Sequence, residues 1–145
     1  MLRRIRLFTF GRFSAKQQAI MPRLKEKTVL IIEDDKVGRE ALADYLSGKK
    51  LRVVEAMNGK EALKYLKREK PHLILLDMLM PVMDGFEFLV KLREMELSDE
   101  IPVLAVTALA MKGDPEKCLE AGAWDYLSKP VDLKILLAKM NKLLA

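Results

Sequence analysis

Cysteine, histidine and tryptophan are nearly absent from the chain: its 145 residues include one of each, Cys118, His72 and Trp124. A single cysteine excludes an internal disulfide and a metal site of thiolate type, and makes a reducing compartment the natural home. His72 stands just before an apolar run as a loop residue and fits no phosphoacceptor pattern. No window approaches the ~18 uncharged apolar residues of a membrane-spanning helix, so none is expected. A glycine-rich phosphate loop is missing after the first apolar run, which disfavours a nucleotide-binding cleft. Neither an internal repeat nor a low-complexity segment is visible.

Half of the residues are apolar and 32% are charged, the balance of one folded domain of ordinary size. The net charge of +5 is unevenly spread. Residues 1–27 hold eight basic side chains against Glu26, whereas the other 118 hold 18 basic and 20 acidic ones, so the basicity belongs to a tail. It does not argue for nucleic-acid binding. The tail has no sustained period and no apolar stretch long enough for a secretory signal. An organelle transit peptide and a surface-binding arm are readings of it, but the expectation is a basic N-terminal extension, 1–27, that is disordered and without essential role. Met21 offers an alternative start.

From Thr28 onward, strand and helix patterns alternate five times. Apolar runs at Thr28–Ile32, Leu51–Ala56, Leu73–Leu76, Val103–Val106 and Trp124–Leu127 read as strands. The second is less apolar and nearer an edge. Between them, Val37, Ala41, Leu42, Tyr45 and Leu46 recur at helical spacing before Gly48, and Asn58 with Glu61 forms a capping pair. Phe86, Leu89, Val90 and Leu92 mark a third helix, Asp114 and Pro115 an N-cap and first turn, and a last helix runs from about Asp132 to Leu144. Such alternation demands right-handed crossovers and a parallel sheet covered on both faces, a doubly wound α/β fold.

The chemistry concentrates where these strands end. Leu73–Leu76 stops at Asp77, and ligands of open α/β sheets bind outside the carboxyl ends of strands. An isolated Asp there would more often cap a turn. The other runs, however, end in Glu33, Asp34 and Asp35, in Thr107, and in Lys129, so several carboxylates, a hydroxyl and an ammonium group converge on one crevice.

These residues lie in the motifs IIEDD, LLDMLMPVMDG, AVTALAMKGD and YLSKP, and in that order and spacing residues 28–145 resemble a receiver domain of the two-component response regulators. The resemblance implies a flavodoxin-like (βα)5 fold whose parallel five-stranded sheet has the order 2-1-3-4-5. It implies that Asp77 takes a phosphoryl group, as a 4-aspartylphosphate, from a histidine kinase or a His-containing phosphotransfer protein in a Mg²⁺-dependent reaction. By the same resemblance Asp34 and Asp77 bind Mg²⁺ directly, Glu33 through water, and Leu79 through its backbone carbonyl. Asp35 is read as the solvent-facing start of the first helix. Thr107 corresponds to the switch hydroxyl, Lys129 to the phosphoryl-binding lysine before a commonly cis Pro130, and Tyr126 to the aromatic that turns inward with Thr107.

Two positions depart from common family choices. Leu79 and Leu109 are apolar where polar side chains often help water reach the phosphoryl group, so a long-lived acyl phosphate is expected. Output is expected through helix 4, strand 5 and helix 5, read by a downstream protein target, with no output domain, no direct nucleic-acid contact and no enzymatic turnover. The chain is expected to be cytoplasmic and a monomer or weak dimer. The rival readings are a phosphatase of the haloacid dehalogenase type, which needs a second Asp where Leu79 stands, and a phosphorylation-independent interaction module. Cys118 is expected as a small hydrophobe, Trp124 between the fourth helix and the sheet, and Met78, Met80 and Met83 as an adaptable ring around Asp77.

Overall fold

Leu73–Leu76 is apolar at every position, so its sequence hides the alternation that a strand imposes. In the structure, a computed structural model that describes residues 4–6, 26–108 and 111–144, that alternation defines two cores. Ile74 and Leu76 pack on one face of the sheet with Tyr65, Phe88, Leu92 and Cys118. Leu73 and Leu75 pack on the other with Ala43, Leu46, Leu136 and Met140. Each side of the central strand needs its own helices.

In chain order the elements are β1 (Arg4–Arg6), β2 (Thr28–Ile32), α1 (Lys36–Ser47), β3 (Arg52–Ala56), α2 (Gly59–Leu66) and β4 (Leu73–Leu76), followed by α3 (Gly85–Glu94), β5 (Val103–Thr107), α4 (Asp114–Ala121), β6 (Asp125–Ser128) and α5 (Leu133–Leu143). The sheet order is β1-β3-β2-β4-β5-β6. Strands β2 to β6 are parallel, and among themselves they run second, first, third, fourth, fifth, as the resemblance implies. Helices α1 and α5 supply one core and α2, α3 and α4 the other.

The edge differs from expectation. Arg4–Arg6, placed in a disordered extension by the sequence, pairs antiparallel with β3, Ile5 opposite Val54. An exposed edge strand is a template for pairing, and a short Arg-Ile-Arg segment can fill it without a core of its own. Residues 1–3 and 7–25 of that extension lie outside the described residues.

Side-chain caps set most helix starts. Asp35 accepts from Gly38 N, Asn58 from Glu61 N and Asp84 from Glu87 N, each at 2.9 Å. Glu61 reaches back to Met57 N at 2.8 Å, completing the pair that the sequence announces. The fourth helix departs from its expected cap. Gly113, at φ 92°, takes the N-cap position, and Asp114 is the first helical residue, its carboxylate turned back onto Met111 N at 2.7 Å.

Some helix faces are rotated from the sequence reading. The buried stripe of α1 is Arg39, Ala43 and Leu46, while Val37 is exposed. In α3 the stripe is Gly85, Phe88, Leu89 and Leu92, and Val90 faces out. Trp124 precedes β6 and is 44% exposed, its indole N–H donating to Ser98 O at 3.0 Å instead of packing against the sheet. Met78 and Met80 are buried, so the proposed adaptable ring is core. Cys118 is buried, as expected of a small hydrophobe.

Candidate functional site

Strand register brings the site together. Ile32 of β2 is paired with Leu76 of β4, so the next residues, Glu33 and Asp77, leave the sheet side by side. Thr107 of β5 is paired with Ser128 of β6, which sets Lys129 at the same rim. Each exit is held by one more backbone bond: Asp77 N to Ile32 O at 3.0 Å, Glu33 N to Ala56 O at 3.2 Å, and Lys129 N to Thr107 O at 2.9 Å.

Asp77, Glu33 and Thr107 are buried, and Asp34 is exposed beside them. One carboxylate oxygen from each of Glu33, Asp34 and Asp77 lies within 4.8 Å of the other two. The Lys129 ammonium stands 3.5 Å from Asp77 Oδ2 and donates a hydrogen bond to Glu33. Asp77 Oδ1 accepts from the Leu79 amide at 3.0 Å, leaving Oδ2 toward the lysine. The Lys129–Pro130 peptide is cis, the isomer anticipated for that pair.

Electrostatics show a cluster with more negative charge than one lysine balances. Burial, and then the neighbouring Asp77 carboxylate, push Glu33 up to about 7, although Lys129 pulls it the other way. Burial by itself would lower the Lys129 pKa, but Glu33 and Asp77 outweigh it and raise it, so the ammonium stays charged. Three hard oxygen donors, two of them buried, are the donor set that Mg²⁺ prefers.

Around this centre, Tyr126 is partly buried against the α2–α3–α4 core, and burial raises the pKa of its phenol. Asp35 caps α1 and faces solvent, as read. Leu79 turns an exposed side chain outward, so the position where a haloacid dehalogenase places its second Asp holds an apolar group. Leu109 lies outside the described residues. A cleft of about 340 Å³ opens beside the carboxylates between α1 and the Lys129–Val131 segment, with Leu42, Tyr45 and Val106 in its wall.

Two residues escaped the sequence reading. Arg39, 5% exposed, donates from Nη1 to the carbonyl oxygen of Glu33 at 2.9 Å, and its Nε lies 3.4 Å from Oε1 of Glu55, which is 1% exposed. A signal existed: Arg39 falls on the helical stripe of Ala43 and Leu46, and Glu55 interrupts the apolar run of β3. Charges in such positions are paired or functional.

The response regulator receiver domain profile matches residues 29–141. The polar-differentiation response regulator DivK of Brucella anthropi is 36% identical over 107 residues, 74% of this chain and 87% of DivK. The receiver domain of the sensor histidine kinase PA1611 of Pseudomonas aeruginosa, solved with a magnesium ion in its active-site cleft, superposes with a TM-score of 0.75 at 31% identity, covering 82% of this chain and 98% of that one. The receiver domain of the Saccharomyces cerevisiae response regulator Ssk1, solved with the histidine phosphotransfer protein Ypd1, gives a TM-score of 0.75 at 31% identity over 82% of this chain and 89% of the matched one. Other relatives are longer, and the chain spans 25% of one and 49% of another.

Proposed function

The chain belongs to the response regulator receiver domain family of two-component signalling, and on that premise we propose that Asp77 is its phosphoacceptor. The observation that carries this is the meeting of the Glu33, Asp34 and Asp77 carboxylates within 4.8 Å beside the Lys129 ammonium. Glu33, Asp34 and Asp77, with the backbone carbonyl of Leu79, would hold Mg²⁺, which when bound supplies positive charge against the phosphoryl oxygens.

The chain's own residues account for the rest. The Leu79 amide fixes one Asp77 oxygen, so the other is the nucleophile. It attacks the phosphorus of a phosphohistidine in line: an O–P bond forms, the P–N bond breaks, and its electron pair returns to the departing imidazole. Lys129, drawn off the carboxylates, neutralises an oxygen of the transferred group. Thr107, at the end of β5, donates its hydroxyl to another, and Tyr126 follows it inward. That movement reshapes the face of α4, β6 and α5 for a downstream protein target.

The donor is a histidine kinase or a His-containing phosphotransfer protein, the kind of partner that accompanies Ssk1. Phosphorylation is stoichiometric, the chain accepting a group rather than turning over a substrate. A cytoplasmic location, a monomeric or weakly dimeric state and no direct nucleic-acid contact accompany this reading. No described helix is long and apolar enough to cross a membrane. The test is incubation of the purified chain with Mg²⁺ and a small acyl-phosphate donor, read by mass spectrometry. A phosphate adduct that Asp77→Ala abolishes is expected, and an adduct that survives the substitution overturns the assignment.

A further inference from the structure

We propose that Arg39 and Glu55 are positioning residues for the cation site, locking the main chain that carries Glu33 while cancelling each other's charge beside it. The inference rests on the reading of Glu33, Asp34 and Asp77 as the cation-holding group.

Arg39 grips the loop from Glu33 to Asp35 twice. Its amide donates to Asp35 O at 2.9 Å, and its guanidinium donates to Glu33 O at 2.9 Å. Glu55 holds the guanidinium from the neighbouring strand at 3.4 Å, and the next residue, Ala56, accepts from Glu33 N. Two of the three carboxylates therefore hang on a segment whose peptide groups are tied to both α1 and β3.

A buried ion pair is a costly way to join a helix to a strand. Removing both charges from water often outweighs their attraction, and well-packed apolar residues are commonly as stable or more so. Apolar residues would join α1 to β3 but would leave the Glu33 carbonyl, within the buried rim, without its donor. An arginine without Glu55 would hold the carbonyl yet place an uncompensated positive charge next to the acids, where it opposes cation binding. The pair supplies the donor without the net charge. Outer groups that orient metal ligands in this way commonly affect metal affinity about 10- to 100-fold.

The test separates positioning from stability. Wild type, Arg39→Met/Glu55→Leu and Glu55→Gln are compared as full chains by calorimetric Mg²⁺ titration, with Mn²⁺ as a second probe, and by urea unfolding without metal. The double variant is expected to unfold at a urea concentration equal to or above that of wild type, yet bind Mg²⁺ about tenfold more weakly. Glu55→Gln keeps the side-chain shape, and it is expected to weaken Mg²⁺ binding through the guanidinium charge it exposes; should the double variant not fold, this variant decides. Mg²⁺ affinity within twofold of wild type in a folded variant overturns the positioning role while leaving the cation site intact. Absence of divalent binding by wild type itself overturns the site reading, and this inference with it.

Discussion

Replacing Glu33 by Gln should stabilise the metal-free chain and cripple its cation site at once. Burial and the adjacent Asp77 carboxylate push Glu33 from its ordinary 4.5 up to about 7. A carboxyl with a raised folded pKa contributes stability that is whole below its unfolded pKa and is lost as pH rises through the folded value. Metal-free wild type should therefore lose stability between about pH 4.5 and about pH 7. At about 1.36 kcal/mol per pH unit that interval bounds the loss near ~3 kcal/mol. Residual solvent contact, and the Lys129 partner that Gln would hold less well, reduce it to about 1–2 kcal/mol. Gln cannot ionise, so urea midpoints measured in chelator from ~pH 5 to ~pH 8 should flatten for Glu33→Gln, which should exceed wild type at the upper end. Mg²⁺ titrated into the same variant should bind more weakly. A variant less stable than wild type at ~pH 8, or one that keeps the wild-type slope, would refute the claim that Glu33 is an electrostatic liability retained for its ligand.

Gly85→Ala would place a methyl carbon 2.7 Å from Met78 Cα and 3.1 Å from Asp77 O, both backbone atoms. The substitution should cost about 1–3 kcal/mol in urea unfolding and slow phosphorylation of Asp77, and a neutral outcome in both would contradict the packing of that loop. Phe88→Ala empties a fully buried position of the α2–α3–α4 core and should cost about 3–5 kcal/mol by thermal unfolding. His72 Nδ1 accepts from Thr28 N at 2.9 Å, and burial together with Lys27 lowers its pKa. The unfolded chain then takes up this proton first, so the stability of wild type relative to His72→Ala should decline as pH falls below about 6.5, and a pH-independent difference would argue against that bond. Leu79, exposed two residues after Asp77, has no group to orient water, so the acyl phosphate should be long-lived and Leu79→Asn should shorten its lifetime, followed by loss of the mass adduct.

Much of this protein was readable from local pattern because its rules are local. Apolar runs ending in Glu33, Asp77, Thr107 and Lys129 expose both the strands and the candidate site at their ends, since a parallel strand buried on two faces rarely carries a charge before it leaves the sheet. Glu55 of β3, with its Arg39 partner, is the exception. The Asn58–Glu61 pair announced its helix start for the same short-range reason, whereas the cap expected at Asp114 fell to Gly113. What the sequence could not decide was which atoms meet across long separations. Register set Glu33 beside Asp77, and only then did the Lys129 ammonium find both carboxylates. Helix rotation, fixed by packing against the sheet, buried Arg39 in place of Val37 and turned Phe88 inward where Val90 was expected. The edge pairing of Arg4–Arg6 depends on an unfilled ladder at β3 that belongs to the assembled sheet. The sequence by itself determined the order of elements and the chemical groups at the rim; the tertiary structure decided their distances, charge balance and supports, because those depend on contacts that only the folded chain brings within reach.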